Sequence, residues 1–325
     1  MKRRSFITLL GGAAAWPLAA RAEPAVPVIG WLGSRSASES AALVDAFRSG
    51  LKEIGYVDGR NVAFAFRWAD GQYDRLPAQA AELVSQHVSI IVATGGDPAA
   101  QAAKGATKTI PIVFVSGSDP VKVGLVASLN RPGGNITGIH VLLLGLGAKR
   151  LALLHELMPS AGAIGVLVNP QFPGAEAYLG DLREAAGSLG VQLRVRQAAT
   201  EQEIEAAFSV LAEQRPGAVL IAPDPFFTVR RVQVVTAAAR HGLPAMYELR
   251  DFAVVGGLIS YGTSLADGYR KTGIYAGKVL KGVNPAELPI EQSTKFELVI
   301  NLKTARTLGI TVPQTLLVAA DEVIE

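Results

Sequence analysis

The chain has 325 residues, 49% of them hydrophobic, with a formal charge of +3 and no cysteine. The absence of cysteine excludes disulfides, thiolate metal centres, a cysteine nucleophile and a lipidated cysteine anchor. Four cations, Lys2, Arg3, Arg4 and Arg21, and no acid fall in residues 1–22, so the chain from Glu23 onward is formally −1. It has no basic run of the kind that displaces counterions from phosphate, and no nucleic-acid partner is expected.

Residues 1–22 read as an export signal. Lys2, Arg3 and Arg4 form a basic start, Phe6 to Ala20 an apolar run, and Ala20-Arg21-Ala22 a small-x-small cleavage site. The run holds fifteen residues, Pro17 among them, short of the roughly 20 that span a bilayer. Cleavage after Ala22 is expected, leaving a mature form that is not membrane-embedded and resides in the periplasm. Arg3-Arg4-Ser5-Phe6-Ile7 is similar to the twin-arginine signal, whose machinery exports folded protein.

From Pro27 onward, short β-branched runs alternate with amphipathic segments. Val28 to Gly33 is the first predicted strand. It is followed by a helix over Ser38 to Gly55, with Leu43, Phe47, Leu51 and Ile54 on one face. Asn61 to Trp68 reads as a strand, Leu76 to His87 a helix, Ser89 to Ala93 a strand, Asp97 to Thr107 a helix and Pro111 to Val115 a strand. Turn-forming Arg131 to Asn135 then precedes an extended Ile136 to Ile139. The rhythm restarts with a helix over Leu151 to Met158 and a strand over Ala163 to Val168. A helix over Ala175 to Leu189, a strand over Val191 to Arg196 and a helix over Glu201 to Gln214 come next. Strand Ala218 to Ala222, helix Val229 to His241 and strand Pro244 to Tyr247 follow. Last come glycine-flanked Gly256 to Gly262 and a helix over Leu265 to Lys281.

Continuous apolar strands between helices imply parallel sheets covered on both faces. Two such series imply an α/β fold of two doubly wound lobes. Lobe 1 is expected to take residues 23–135 and about 262–290, and lobe 2 residues 136–261 and about 291–325. The helix from Leu265 returning to lobe 1 would give a hinged cleft.

Catalytic signatures are missing. His155-Glu156 lacks the second histidine of a helical zinc motif, no G-x-S-x-G elbow occurs, and Gly145-Leu146-Gly147 lacks the third glycine of a dinucleotide fingerprint. Neither catalysis nor a cofactor is expected. Polar clusters recur instead at the carboxyl ends of strands: Ser34 and Ser36, Thr94 to Asp97, Ser116 to Asp119, Asn169, Asp224-Pro225-Phe226-Phe227, and Tyr247-Glu248. Ligands of doubly wound sheets bind at these edges. The same residue types also cap helices, worth about 1 kcal/mol each without any ligand, so both readings stand for each.

Long blocks of the chain resemble the ABC-transporter substrate-binding family related to tryptophan/tyrosine-binding proteins. They are Ala46-Phe47-Arg48 to Gly55-Tyr56-Val57, Arg75-Leu76-Pro77 with Ala80 to Val84, Gly124 to Asn135, Asp224 to Phe227, Gly257 to Ser264, Thr294 to Asn301 and Ala320 to Glu325. The resemblance implies a type I periplasmic binding protein with three hinge crossovers. It implies pocket positions Ser34, Thr94, Ser116 and Asp119 in lobe 1, with Asn169, Asp224, Phe226, Tyr247 and Tyr261 from lobe 2 and the hinge. Leu142 to Gly147 is more apolar and glycine-rich than the family pattern.

The expected function is a monomeric solute receptor that closes over a small organic ligand and delivers it to an inner-membrane ABC permease. An aromatic amino acid or related aromatic carboxylate is the expected ligand, with no arginine at the strand ends to hold a carboxylate. Two alternatives remain: a ligand-binding adaptor of a membrane sensor, and a secreted hydrolase using Asp224 or Asp119.

Overall fold

The computed structural model describes residues 26–325, so the expected export signal lies outside the described residues. The first lobe opens with β1 (Val28–Gly33), α1 (Ala37–Glu53), β2 (Ala63–Trp68), α2 (Leu76–Ser85), β3 (Ile90–Thr94), α3 (Asp97–Ala106), β4 (Ile112–Ser116) and β5 (Ile136–His140). The chain then crosses to build α4 (Gly147–Leu157), β6 (Ala163–Val168), α5 (Ala175–Leu189), β7 (Gln192–Gln197), α6 (Glu201–Gln214) and β8 (Ala218–Ile221). The second lobe continues with α7 (Pro225–Val229), α8 (Arg231–Arg240), β9 (Ala245–Tyr247), α9 (Arg250–Val254) and β10 (Ile259–Thr263). It returns to lobe 1 for α10 (Leu265–Leu280) and β11 (Glu291–Gln292). A third crossing leads to β12 (Phe296–Asn301), α11 (Leu302–Thr307), α12 (Gln314–Ala319) and β13 (Glu322–Ile324).

The first sheet runs β11-β5-β4-β3-β1-β2, parallel throughout. The second runs β13-β12-β10-β9-β8-β6-β7, with β12 antiparallel to β10. Central strands such as β3 (IIVAT) and β4 (IVFVS) are buried along their length, because helices cover both faces. In lobe 1, α1 and α10 pack on one face, and α2 and α3 on the other. In lobe 2, α4 and α5 oppose α6 and α8.

The expected boundary after Asn135 does not coincide with a change of sheet. Ile136–His140 pairs with β4 in the first sheet, from Ile112 opposite Ile136 to Ser116 opposite His140. Arg131 to Asn135 is therefore a turn within lobe 1. The sheet changes after His140, after Thr263 and after Gln292, and β11 belongs to the first sheet and not to lobe 2. No helix among the described residues is long and apolar enough to cross a membrane.

Candidate functional site

The carboxyl ends of the two sheets face each other, and the lobes touch across the gap. The Tyr73 hydroxyl, from the loop after β2, donates to the Asp224 carboxylate in lobe 2. The backbone N–H of Phe226 lies 3.2 Å from the same hydroxyl. Elsewhere on the rim, Glu39 of α1 pairs with Arg231 of α8. Between these contacts lies a cavity lined from both lobes and from the crossovers.

Three charged side chains line it. Arg35 follows β1 in lobe 1, is only 5% exposed, and its Nε has no hydrogen-bond partner. Asp224, three residues past β8, caps α7 by accepting from Phe226 N at 2.6 Å, which leaves Oδ2 buried and unpartnered. Glu248 follows β9; its Oε1 accepts from the Thr228 hydroxyl at 3.1 Å, and its Oε2 is buried and unpartnered. Unpaired buried polar atoms are costly and uncommon, and here a cation from one lobe faces two acids from the other.

Burial pushes the Asp224 carboxyl up to about 7, against the lowering effect of hydrogen bonds from Tyr73 and Phe226. Burial likewise pushes Glu248 up to about 7, with the Arg150 charge opposing it. The apolar wall comes from Phe172, Tyr269, Val141, Leu143 and Leu144. Tyr269 also accepts a hydrogen bond from Gly95 N at 3.2 Å. Gly95 and Gly96, at φ +80° and +103°, line the cavity at the start of α3. An added Cβ at Gly96 would lie 3.4 Å from Pro225 of the other lobe, an ordinary contact, so it is the positive φ that favours glycine there.

Of the nine pocket positions implied by the resemblance, Asp224 lines this cavity and the other eight do not, while the strand-end clusters also contribute Gly95, Gly96, Gly117, Pro225 and Glu248. A regular offset explains part of this. Thr94, Ser116 and Tyr247 are the last residues of their strands, with side chains still committed to the sheet layers. The cavity takes the next residues, Gly95, Gly117 and Glu248. Ser116 is fully used: its hydroxyl bonds Asp97, which also accepts from Ser118, tying β4 to α3. Tyr247 stacks on Phe252, with ring centroids 4.8 Å apart, in the lobe 2 core. Ser34 is buried behind the cavity wall, with Arg35 taking its place.

Asp119 accepts from Val121 N at 2.9 Å as a turn cap and lines a separate hollow with His140 and Gln292. Burial there lowers the His140 pKa to about 4, although Asp119 opposes this. Asn169 accepts from Gln171 N at 3.0 Å in the turn after β6. Phe226 packs in the lobe 2 core beneath the Arg230 guanidinium, 4.2 Å from its ring centroid. The Tyr261 ring stacks on Phe296.

The expected lack of an arginine at the strand ends is thus corrected by Arg35. Its signal was its place between Ser34 and Ser36, directly after a strand. Phe172 had a weaker signal, in the Asn-Pro-Gln-Phe-Pro loop after β6. Tyr269 had none, since it reaches the cavity only because α10 packs back on lobe 1.

The chain matches the ABC transporter substrate binding protein family over residues 36–324. It is 30% identical over 267 residues to a tyrosine-binding protein of Clostridioides difficile, covering 81% of this chain and 75% of that one. Its structure is similar to that of an ABC domain from Streptococcus pneumoniae in complex with L-Trp. The TM-score is 0.84 at 27% identity, over 92% of this chain and 99% of that one. A ligand-free, open structure of a substrate binding protein with adhesive properties from Clostridium difficile, 26% identical over the same shares, scores only 0.66. In this structure the two lobes are in contact, through Tyr73 with Asp224 and Glu39 with Arg231. More distant neighbours share the type I periplasmic binding protein architecture. The chain belongs to the family of ABC transporter substrate binding proteins.

Proposed function

We propose that the chain is the exported receptor of an ABC importer, closing its lobes around an α-amino acid with an aromatic side chain and presenting the closed form to an inner-membrane permease. The observation that carries this reading is Arg35 facing Asp224 and Glu248 across one interlobe cavity. A guanidinium suits a carboxylate through paired, charge-assisted hydrogen bonds. The two acids suit an ammonium group, so the cavity has the polarity of a zwitterion. Phe172 and Tyr269 supply aromatic surface for the side chain. The relatives' ligands, tyrosine and L-Trp, are of the same class. Export follows from the signal at residues 1–22, and the closed lobes supply the form that a permease selects. Polar groups that each pair with one end of an amino acid favour a receptor over a hydrolase.

Proton linkage tests this polarity. Asp224 and Glu248 both titrate near 7 in the ligand-free protein, so binding an ammonium below that pH must expel a proton. Affinity for L-tryptophan is expected to fall roughly ten- to thirty-fold from pH 7.5 to 5.5 for one such proton. Calorimetry in buffers of different ionisation enthalpy should register proton release at pH 6. The stability of the ligand-free form should run the other way. A carboxyl with a raised folded pKa contributes stability that is fully present below its unfolded pKa and is lost as pH rises through about 7. Affinity that is flat with pH, with no proton released, would contradict ammonium binding at these acids.

A further inference from the structure

The loop between β2 and α2 reaches from lobe 1 onto lobe 2. Its start is pinned beside the strand end that carries Arg35: Ala69 N donates to the carbonyl of Gly33 at 2.9 Å, and Gly71 N to that of Ser34 at 2.7 Å. Asp70 and Gly71 then turn at φ +54° and +77°. An added Cβ at Gly71 would lie 2.9 Å from Arg230 Nη1, so the turn lies against lobe 2. Two residues on, the half-buried Tyr73 packs its ring against apolar residues of both lobes. Tyr73 does not itself line the cavity.

Its hydroxyl completes a three-atom arrangement. The hydroxyl donates to Asp224 Oδ1, the same oxygen that accepts from Phe226 N at 2.6 Å, and it lies 3.2 Å from that nitrogen. Oδ1 thus holds one donor from each lobe. Oδ2 is buried and has none, while Asp224 lines the cavity. The χ2 torsion of aspartate is otherwise broad, and here turning it breaks two hydrogen bonds.

We propose that Tyr73 is a positioning residue for the ligand's ammonium group: by occupying Asp224 Oδ1 from the other lobe, it fixes the carboxylate so that Oδ2 is the oxygen presented to the ligand. The α7 cap alone holds Oδ1 by one bond within lobe 2. The second bond exists only while the loop from lobe 1 sits on lobe 2, so the acceptor is oriented by the same approach of the lobes that sets Arg35 opposite it.

This role rests on the reading of Asp224 as an ammonium partner, and the test separates the two. Tyr73→Phe keeps the ring and removes the hydroxyl. The charged groups around Asp224, namely Arg35 and Glu248 at the cavity and Arg230 at the end of α7, stay in place. Carbon-13 NMR of the ligand-free mature protein, with the Asp224 carboxyl signal identified by its loss in Asp224→Asn, reads the titration of Asp224 directly. A hydrogen bond to the charged form favours that form, so Tyr73→Phe is expected to raise the midpoint by roughly one pH unit. Calorimetry with L-tryptophan at pH 7.5 is expected to show affinity about tenfold weaker, and Tyr73→Phe added to Asp224→Asn should weaken it no further. An unchanged midpoint, or losses that multiply in the double variant, would overturn the role of Tyr73; a tyrosine that only packs would lower stability and move neither. If Tyr73→Phe does not unfold cooperatively, Tyr73→Leu, which also lacks the hydroxyl, replaces it in both measurements. A parent protein that does not bind L-tryptophan refutes the amino-acid reading, and the NMR midpoint then decides the role of Tyr73 alone.

Discussion

Replacing Arg35 with alanine is expected to weaken binding of L-tryptophan at least about a hundredfold, at roughly 1.4 kcal/mol per tenfold, while leaving the fold intact. The size follows from burial. Arg35 is 5% exposed and its Nε is unpartnered, so a ligand carboxylate would meet an already desolvated donor. Removing one side of such a buried charge pair typically costs about 3–5 kcal/mol, because the other side stays buried and unpaired. Arg35→Lys should recover only part of the loss, since it keeps the charge and loses the fork. Calorimetry on both variants checks this, with cooperative thermal unfolding of the ligand-free proteins as the control. Binding of Arg35→Ala within threefold of the parent would remove Arg35 from the site.

The largest stability effect is expected where α10 returns to lobe 1. An added Cβ at Gly273 would lie 2.1 Å from the carbonyl oxygen of Phe47, and one at Gly50 would lie 1.8 Å from that of Arg270. The two helices therefore meet backbone to backbone, with no side-chain layer between them. Gly273→Ala must push them apart, and overpacking of this kind costs about 3 kcal/mol. That corresponds to a drop in Tm of roughly 10 °C for a domain of this size. The same displacement moves Tyr269, so affinity should fall as well. Gly180→Ala is the counter-test. It sits inside α5 with nothing within 4 Å of the added methyl, and alanine's helix propensity should stabilise it by about 0.5–1 kcal/mol. Differential scanning calorimetry of the two variants should show Tm shifts of opposite sign. A Gly273→Ala protein as stable as the parent would contradict the packing.

That return helix was legible in the sequence. A glycine-flanked strand followed by an amphipathic segment from Leu265 marks a chain leaving one lobe for the other. The buried central strands were legible too, because sheets covered on both faces select unbroken apolar runs such as Ile90–Thr94 and Ile112–Ser116. Sheet membership was not. Ile136–His140 has the composition of any buried strand, and its parallel pairing with β4 is a long-range fact. The antiparallel β12 is likewise set by its partner and not by its own residues.

At the site, the sequence pointed to the correct strand ends and often to the neighbouring residue. A strand's last side chain still obeys the alternation of the sheet, so Thr94, Ser116 and Tyr247 turn into the lobes. The residue that clears the edge depends on where each strand stops, and a one-residue error there changes which side chain faces the ligand. Arg35 was overlooked because an arginine in a polar loop ordinarily reaches solvent. It is instead buried at a cavity that residues from both lobes line.

The most direct test of the account compares three compounds by calorimetry at pH 7.5: L-tryptophan, indole-3-propionate without the ammonium, and tryptamine without the carboxylate. An Arg35 pole facing Asp224 and Glu248 predicts saturable one-to-one binding of the amino acid, with both truncated compounds weaker by about a hundredfold or more, since each leaves a buried charge unpaired. Equal affinity for indole-3-propionate, or no binding of the amino acid where another class of solute binds, would contradict it.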